Sequence, residues 1–161
     1  MNIFELAIKT EEEGEIYYRN LAKRTTNPEF KRVLHWLADD EARHRDFFKA
    51  MMEGKSPEIL DSDLLKNVKV VFEKMAESKE NFDFLPSEVD IYRKAQQLEK
   101  DTMDFYLKTA RDTDDHKQKD LLIQMAKEEE KHYVLLDNIT RFVQRPREWL
   151  ENAEFTQLDD Y

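Results

Sequence analysis

Residues 37–48 read LADDEARHRDFF, and residues 125–136 read MAKEEEKHYVLL. Each stretch sets a glutamate three residues ahead of a histidine, giving the pairs Glu41/His44 and Glu129/His132. Whether those pairs face water or a core decides the fold. Around the first pair, Leu34, Leu37, Glu41, His44, Phe48 and Met51 follow one another at alternating steps of three and four, the spacing of core positions in a helical bundle. Leu122, Met125, Glu129, His132, Leu136 and Ile139 repeat those steps around the second. Both pairs therefore belong to stripes that are otherwise apolar, on the inward faces of two helices.

Two further stripes carry one glutamate each. Phe4, Ala7, Glu11, Gly14, Tyr18 and Leu21 lie on one helical face, and Tyr92, Ala95, Glu99, Thr102, Tyr106 and Thr109 lie on another, the last weakened by its polar end. The two halves of the chain match at a constant offset of 88 residues: Ala7 with Ala95, Glu11 with Glu99, Tyr18 with Tyr106, Ala22 with Ala110, Leu34 with Leu122, Ala38 with Ala126, Glu41 with Glu129 and His44 with His132. No gap is needed across nearly 40 positions, so the chain reads as an internal duplication: two helical hairpins related by an approximate twofold axis. Glu12, Glu13, Glu128 and Glu130 fall on the solvated faces. Only Glu11, among its neighbours, has a glutamate counterpart on the matching stripe.

Helix punctuation supports four main helices. The first runs from Ile3 to Arg24. Asn27 as N-cap and Pro28 at the first helical position start a second, which ends near Gly54. A third follows Pro86, with Ser87 expected as its N-cap and Glu88 in its first turn, and fades by Arg111. The fourth runs from about Asp115 to Val143, stopping before Pro146. The 30-residue connection between the second and third contains DLLKNVKVVFEKM, in which Leu64, Leu65, Val68, Val71, Phe72 and Met75 recur at helical spacing. It reads as a crossover helix, because structureless loops of that length are uncommon. The expected fold is all-α, a ferritin-like four-helix bundle over residues 1–145 with a long crossover between helices two and three. Residues 146–161 form a C-terminal extension, in which RPREWLENAEF (145–155) resumes a short amphipathic helix that docks Trp149, Leu150 and Ala153 on the bundle or on a partner subunit.

Composition narrows the function. Charged residues make up 39% and hydrophobic residues 40%, which suits long amphipathic helices rather than a disordered polyelectrolyte. A formal net charge of −10 argues against nucleic acid or an anionic membrane as partner, since both select basic surfaces. No apolar run approaches the roughly 20 residues of a membrane span. MNIFELAIKTEEEGE lacks a signal-peptide pattern, so a cytoplasmic location is expected. The absence of cysteine removes thiol catalysis, thiolate zinc sites and iron–sulfur clusters together, leaving oxygen and imidazole as metal ligands.

The stripe glutamates then need a charge partner. Glu11 lies about 13 residues before the first turn and Glu41 about 13 after it. At ~1.5 Å per residue both stand roughly 20 Å from the same end of an antiparallel hairpin. The same holds for Glu99 and Glu129, so the twofold can bring four carboxylates and two imidazoles to one level. Burying an unpaired carboxylate costs several kcal/mol or forces it to take up a proton. No lysine or arginine occupies the stripe positions. Two divalent cations would balance four carboxylates, with His44 and His132 as neutral ligands. Tyr18 and Tyr106, two turns beyond Glu11 and Glu99, are placed to hydrogen-bond the metal-binding carboxylates; ordinary core tyrosines are the alternative. His35 and His116 lie off the stripes and belong to the surface, Trp36 and Phe47 belong to packing, and Glu148, Glu151 and Glu154 are weak ligand candidates.

This pattern of Glu11, Glu41-x-x-His44, Glu99 and Glu129-x-x-His132, one motif per helix, resembles the ferritin-like di-iron carboxylate superfamily, and within it the rubrerythrin-like branch. The resemblance covers about residues 1–143. It implies two iron ions, with Glu41 and Glu129 bridging them, Glu11 and Glu99 as terminal carboxylates, and one histidine on each; zinc or manganese could substitute. It implies a non-haem oxidoreductase that oxidises a buried Fe(II) pair with hydrogen peroxide or dioxygen, in peroxide detoxification. Ferroxidation or iron handling is the alternative within the family, and a helical bundle with a purely structural dinuclear site is the alternative outside it. The chain departs from rubrerythrins in having no four-cysteine rubredoxin module, which implies an external electron donor such as a rubredoxin-like protein. It also has Thr102 where rubrerythrins carry an extra glutamate. Ala42 stands where bacterioferritin has its haem-binding methionine, so no haem is expected. A homodimer is expected from the resemblance.

Overall fold

A computed structural model describes residues 2–59, 62–78 and 80–160. Among these residues there are helices and connecting chain and no strand, giving the all-α class expected of a sequence rich in helix formers. Helix α1 spans Ile3–Arg24, α2 Pro28–Met52, α3 Leu64–Glu77, α4 Pro86–Arg111, α5 His116–Gln144 and α6 Pro146–Glu151, and a 3-10 segment, Glu154–Asp160, follows. The crossover expected between the second and third main helices is α3. No helix among the described residues is long and apolar enough to cross a membrane.

Local chemistry sets the helix ends. Asn2 and Glu5 form a reciprocal capping box at the start of α1. The Asn27 side chain accepts hydrogen bonds from the backbone N–H groups of Glu29 and Phe30, at 3.0 and 3.1 Å, ahead of Pro28. Asp115 accepts from the Gln118 N–H at 2.9 Å and caps α5. At α4 the structure corrects the sequence reading. The N-cap is Leu85, whose side chain makes no capping bond, and Ser87 already lies in the first turn. The fixed φ of Pro86 suits the first helical position and lets the helix begin two residues earlier than a cap at Ser87 would.

Two compact units divide the chain at Leu64–Leu65. In the first, α1 and α2 form an antiparallel hairpin. Lys49 pairs with Glu12 at 3.8 Å, Arg45 with Glu15 at 2.7 Å and Arg19 with Asp39 at 2.7 Å, so positions rise along one helix as they fall along the other. The hydrogen bond to Asp39 raises the Arg19 pKa above its ordinary value, against a smaller opposing effect of burial. Ala7, Tyr18, Leu21, Leu34, Leu37 and Phe48 are among its buried residues.

The second unit contains the α4–α5 hairpin, where Gln96 Nε2 donates to Asp137 Oδ1 at 3.2 Å. All six apolar positions of the crossover pattern, from Leu64 to Met75, are buried. Phe72 of α3 meets Phe142 of α5 at 5.3 Å and Trp149 of α6 at 4.6 Å between ring centroids, in edge-on arrangements that aromatic quadrupoles favour. Trp149 in turn meets Phe155 at 5.6 Å. The C-terminal extension thus docks on its own unit through Trp149 and Leu150, both buried, while Ala153 is half-buried. The amphipathic helix expected over 145–155 stops at Glu151. Ala153 adopts φ 52°, a left-handed backbone that breaks the helix before the 3-10 segment.

Candidate metal centre

Each hairpin gathers two glutamates and a histidine from adjacent helices. In the first unit α1 supplies Glu11 and α2 supplies Glu41 and His44; in the second, α4 supplies Glu99 and α5 supplies Glu129 and His132. All six are buried: Glu11 and Glu129 are 0% exposed and His44, the most exposed, 7%. That level of burial separates them from neighbouring acids. Glu13 and Glu130 are exposed, while Glu12 and Glu128 are half-buried and pair with Lys49 and Lys131.

The geometry repeats with the duplication. His44 Nδ1 lies 3.5 Å from Glu11 Oε2, and His132 Nδ1 lies 3.3 Å from Glu99 Oε1 and 3.7 Å from Glu129 Oε2. Glu11, Glu41 and His44 each offer a ligand atom within 4.8 Å of the other two, as do Glu99, Glu129 and His132. Two ligands about 2.1 Å from one ion, at roughly right to tetrahedral angles, stand about 3–3.5 Å apart. The observed separations suit a shared cation, and the donor set of carboxylate oxygen and imidazole nitrogen suits iron, zinc or manganese. Each set is therefore able to bind metal.

Helix periodicity explains why these side chains meet. On α2 and α5 the glutamate and histidine are three residues apart, so both project from one face one turn apart. The short turn before Pro28 then folds α1 back so that Glu11 arrives beside His44. The Asp112–Asp115 turn brings Glu99 beside His132 in the same way. Tyr18 and Tyr106 are also buried on the glutamate-bearing faces of α1 and α4. His35 is half-buried, with Nδ1 3.2 Å from an Arg19 guanidinium nitrogen, and His116 is exposed. Trp36 is half-buried and Phe47 buried. In the extension, Glu148 pairs with Arg145 at 3.0 Å, Glu151 with Arg147 at 3.7 Å and Glu154 with Arg141 at 3.8 Å, and none of the three joins either set.

Two features escaped the sequence reading. Asp40 is buried one residue before Glu41; it pairs with Arg43 and accepts a 3.1 Å hydrogen bond from Ser62 Oγ, tying the start of the crossover to α2. Gly14 sits where a Cβ would come within 2.8 Å of Glu41 Oε2. Its signal was a glycine at mid-helix on a buried stripe.

A family model described as rubrerythrin matches residues 2–140, a span that includes both carboxylate–imidazole sets. Neither the curated proteins nor the solved structures compared with the chain give a match. With the family model covering most of its length, on a helical architecture whose buried Glu/His sets can hold metal, the chain belongs to the rubrerythrin family.

Proposed function

We propose that the protein is a non-haem di-iron oxidoreductase that reduces hydrogen peroxide or dioxygen. The observation that carries this reading is the repeated pair of buried carboxylates with an imidazole, one set per hairpin, in a chain of the rubrerythrin family. On this reading Glu11, Glu41, Glu99 and Glu129 as carboxylate ligands and His44 and His132 as imidazole ligands would hold two iron ions. Bound there, two ferrous ions would supply the two electrons that, with two protons, reduce one peroxide to two waters.

The chain's own residues provide the setting. The glutamates would supply negative charge that favours the higher-charged ferric state. The apolar members of each stripe keep the carboxylates out of bulk water and strengthen their hold on a cation. Tyr18 and Tyr106 act by hydrogen-bonding and orienting those carboxylates. No basic residue occupies the stripes to grip a phosphate or oxyanion, which favours redox chemistry over hydrolysis. We further propose a separate electron donor such as a rubredoxin-like protein, and a homodimer as the working unit, which sedimentation would show directly.

One observation favours ferroxidation with iron handling as a second reading. Thr102 takes the place of the additional glutamate of rubrerythrins, and its hydroxyl donates to the Leu98 carbonyl of its own helix at 3.0 Å. The position contributes no extra carboxylate for peroxide turnover. Anaerobically iron-loaded protein distinguishes the readings. Repeated peroxide reduction when a reductant is supplied marks the peroxidase. A single round of oxidation followed by accumulation of ferric iron marks iron handling. In either case Glu41→Ala/Glu129→Ala should retain no iron; unchanged metal content would show these ligands to be misassigned.

A further inference from the structure

Gly14 has no backbone reason to be glycine. Glycine in a helix interior is disfavoured against alanine, because it loses more conformational freedom on folding. The chain holds only two glycines. The other, Gly54, follows α2 at φ 77°, where a left-handed backbone accounts for it. Gly14 lies in the middle of α1 without a positive φ. What accounts for it is its neighbour across the hairpin. A Cβ at Gly14 would stand 2.8 Å from Glu41 Oε2, 3.2 Å from Cδ and 3.4 Å from Cγ, so the Glu41 side chain lies along the strip of α1 that a methyl group would fill.

The duplicated half lacks this clearance. The position matching Gly14 is Thr102, which bears a Cβ, while Glu129 matches Glu41. Glu129 cannot take the equivalent place without the contact that glycine avoids. The two hairpins carry the same ligand types at the same spacing and differ in the surface their second-helix glutamate can lie against.

We propose that Gly14 is a positioning residue for metal binding: by lacking a side chain it fixes where the Glu41 carboxylate stands, and so sets metal affinity and makes the two carboxylate–imidazole sets inequivalent. This rests on the reading of Glu41 as a metal ligand. The atom that a new methyl would meet is the far end of a flexible side chain, not backbone. Gly14→Ala therefore displaces the carboxylate and leaves the helix in place.

The test titrates metal-free wild type, Gly14→Ala and Glu41→Ala with Co(II), following the d–d absorption, and measures thermal unfolding of each metal-free protein. Glu41→Ala should lose saturable binding. Gly14→Ala should unfold at or above the wild-type temperature, since alanine is the better helix former, yet bind Co(II) about 10- to 100-fold more weakly with an altered absorption band, the range expected when a ligand's supporting contact changes. Wild-type affinity and band in Gly14→Ala, with Glu41→Ala still deficient, would overturn the proposal and leave the ligand assignment standing. A Gly14→Ala chain that is unfolded or destabilised without metal would also overturn it, because the glycine would then serve the fold. Wild-type binding by Glu41→Ala would remove the ligand assignment itself, and the proposal with it.

Discussion

At the scale of single residues, the buried glutamates place two physical demands in opposition. A carboxylate fully removed from water destabilises the fold unless its charge is met, yet Glu11 and Glu129 are 0% exposed. A bound metal would reconcile the two, and the sign of the effect is testable. Glu129→Gln, which removes a buried charge and keeps the shape, should raise the unfolding temperature of metal-free protein while abolishing the stabilisation that metal gives wild type. That stabilisation should reach about 2.7 kcal/mol when free metal stands at 100 times its dissociation constant. Calorimetry with and without Zn(II) or Mn(II) measures both, and a Glu129→Gln protein still stabilised by metal like wild type would contradict the assignment. The burial of the six candidate residues was legible in the sequence because helical periodicity and a duplicated pattern both mark them. The clearance at Gly14 and the burial of Asp40 were not, since each depends on how close one helix comes to other chain segments, which periodicity does not encode.

At the scale of elements, helix ends were read best where one residue has one capping chemistry. Asn27 and Asp115 accept the hydrogen bonds expected of N-caps. Ser87 did not, because Pro86 is itself suited to the first helical position and draws the helix start ahead of the serine. Denaturant unfolding should separate the two cases: Asn27→Ala costs about 1 kcal/mol, whereas Ser87→Ala stays within about 0.5 kcal/mol of wild type. The crossover helix was legible from its apolar spacing, but its role was not. Phe72 joins Phe142, Trp149 and Phe155 in one aromatic cluster, a meeting of segments far apart in sequence. Phe72→Ala should therefore cost about 3–5 kcal/mol, while Val70→Ala, at an exposed position of the same helix, should change stability by no more than about 0.5 kcal/mol. The break at Ala153 was also invisible, since nothing in an alanine announces a positive φ. Relieving it with Ala153→Gly should raise the unfolding temperature.

At the scale of the whole molecule, duplication is the organising fact. Two hairpins descended from one pattern each carry a carboxylate–imidazole set on their buried face, and the rubrerythrin family match spans both. A single Glu-x-x-His in so acidic a chain would mean little. Its recurrence at the same offset, together with Glu11 and Glu99 on the partner helices, is what turns a charged sequence into a candidate metal protein. The all-α class and the helix order were therefore legible from sequence, whereas the choice between redox turnover and iron handling was not, because it depends on electron supply and on a few side chains such as Thr102.

If the two sets bind redox-active iron, titrating metal-free protein with Fe(II) under anaerobic conditions should give a break at two irons per chain. A single portion of hydrogen peroxide should then produce rapid near-ultraviolet ferric absorption, with one peroxide consumed for every two irons. Absence of saturable binding, or binding with no response to peroxide, would contradict that reading.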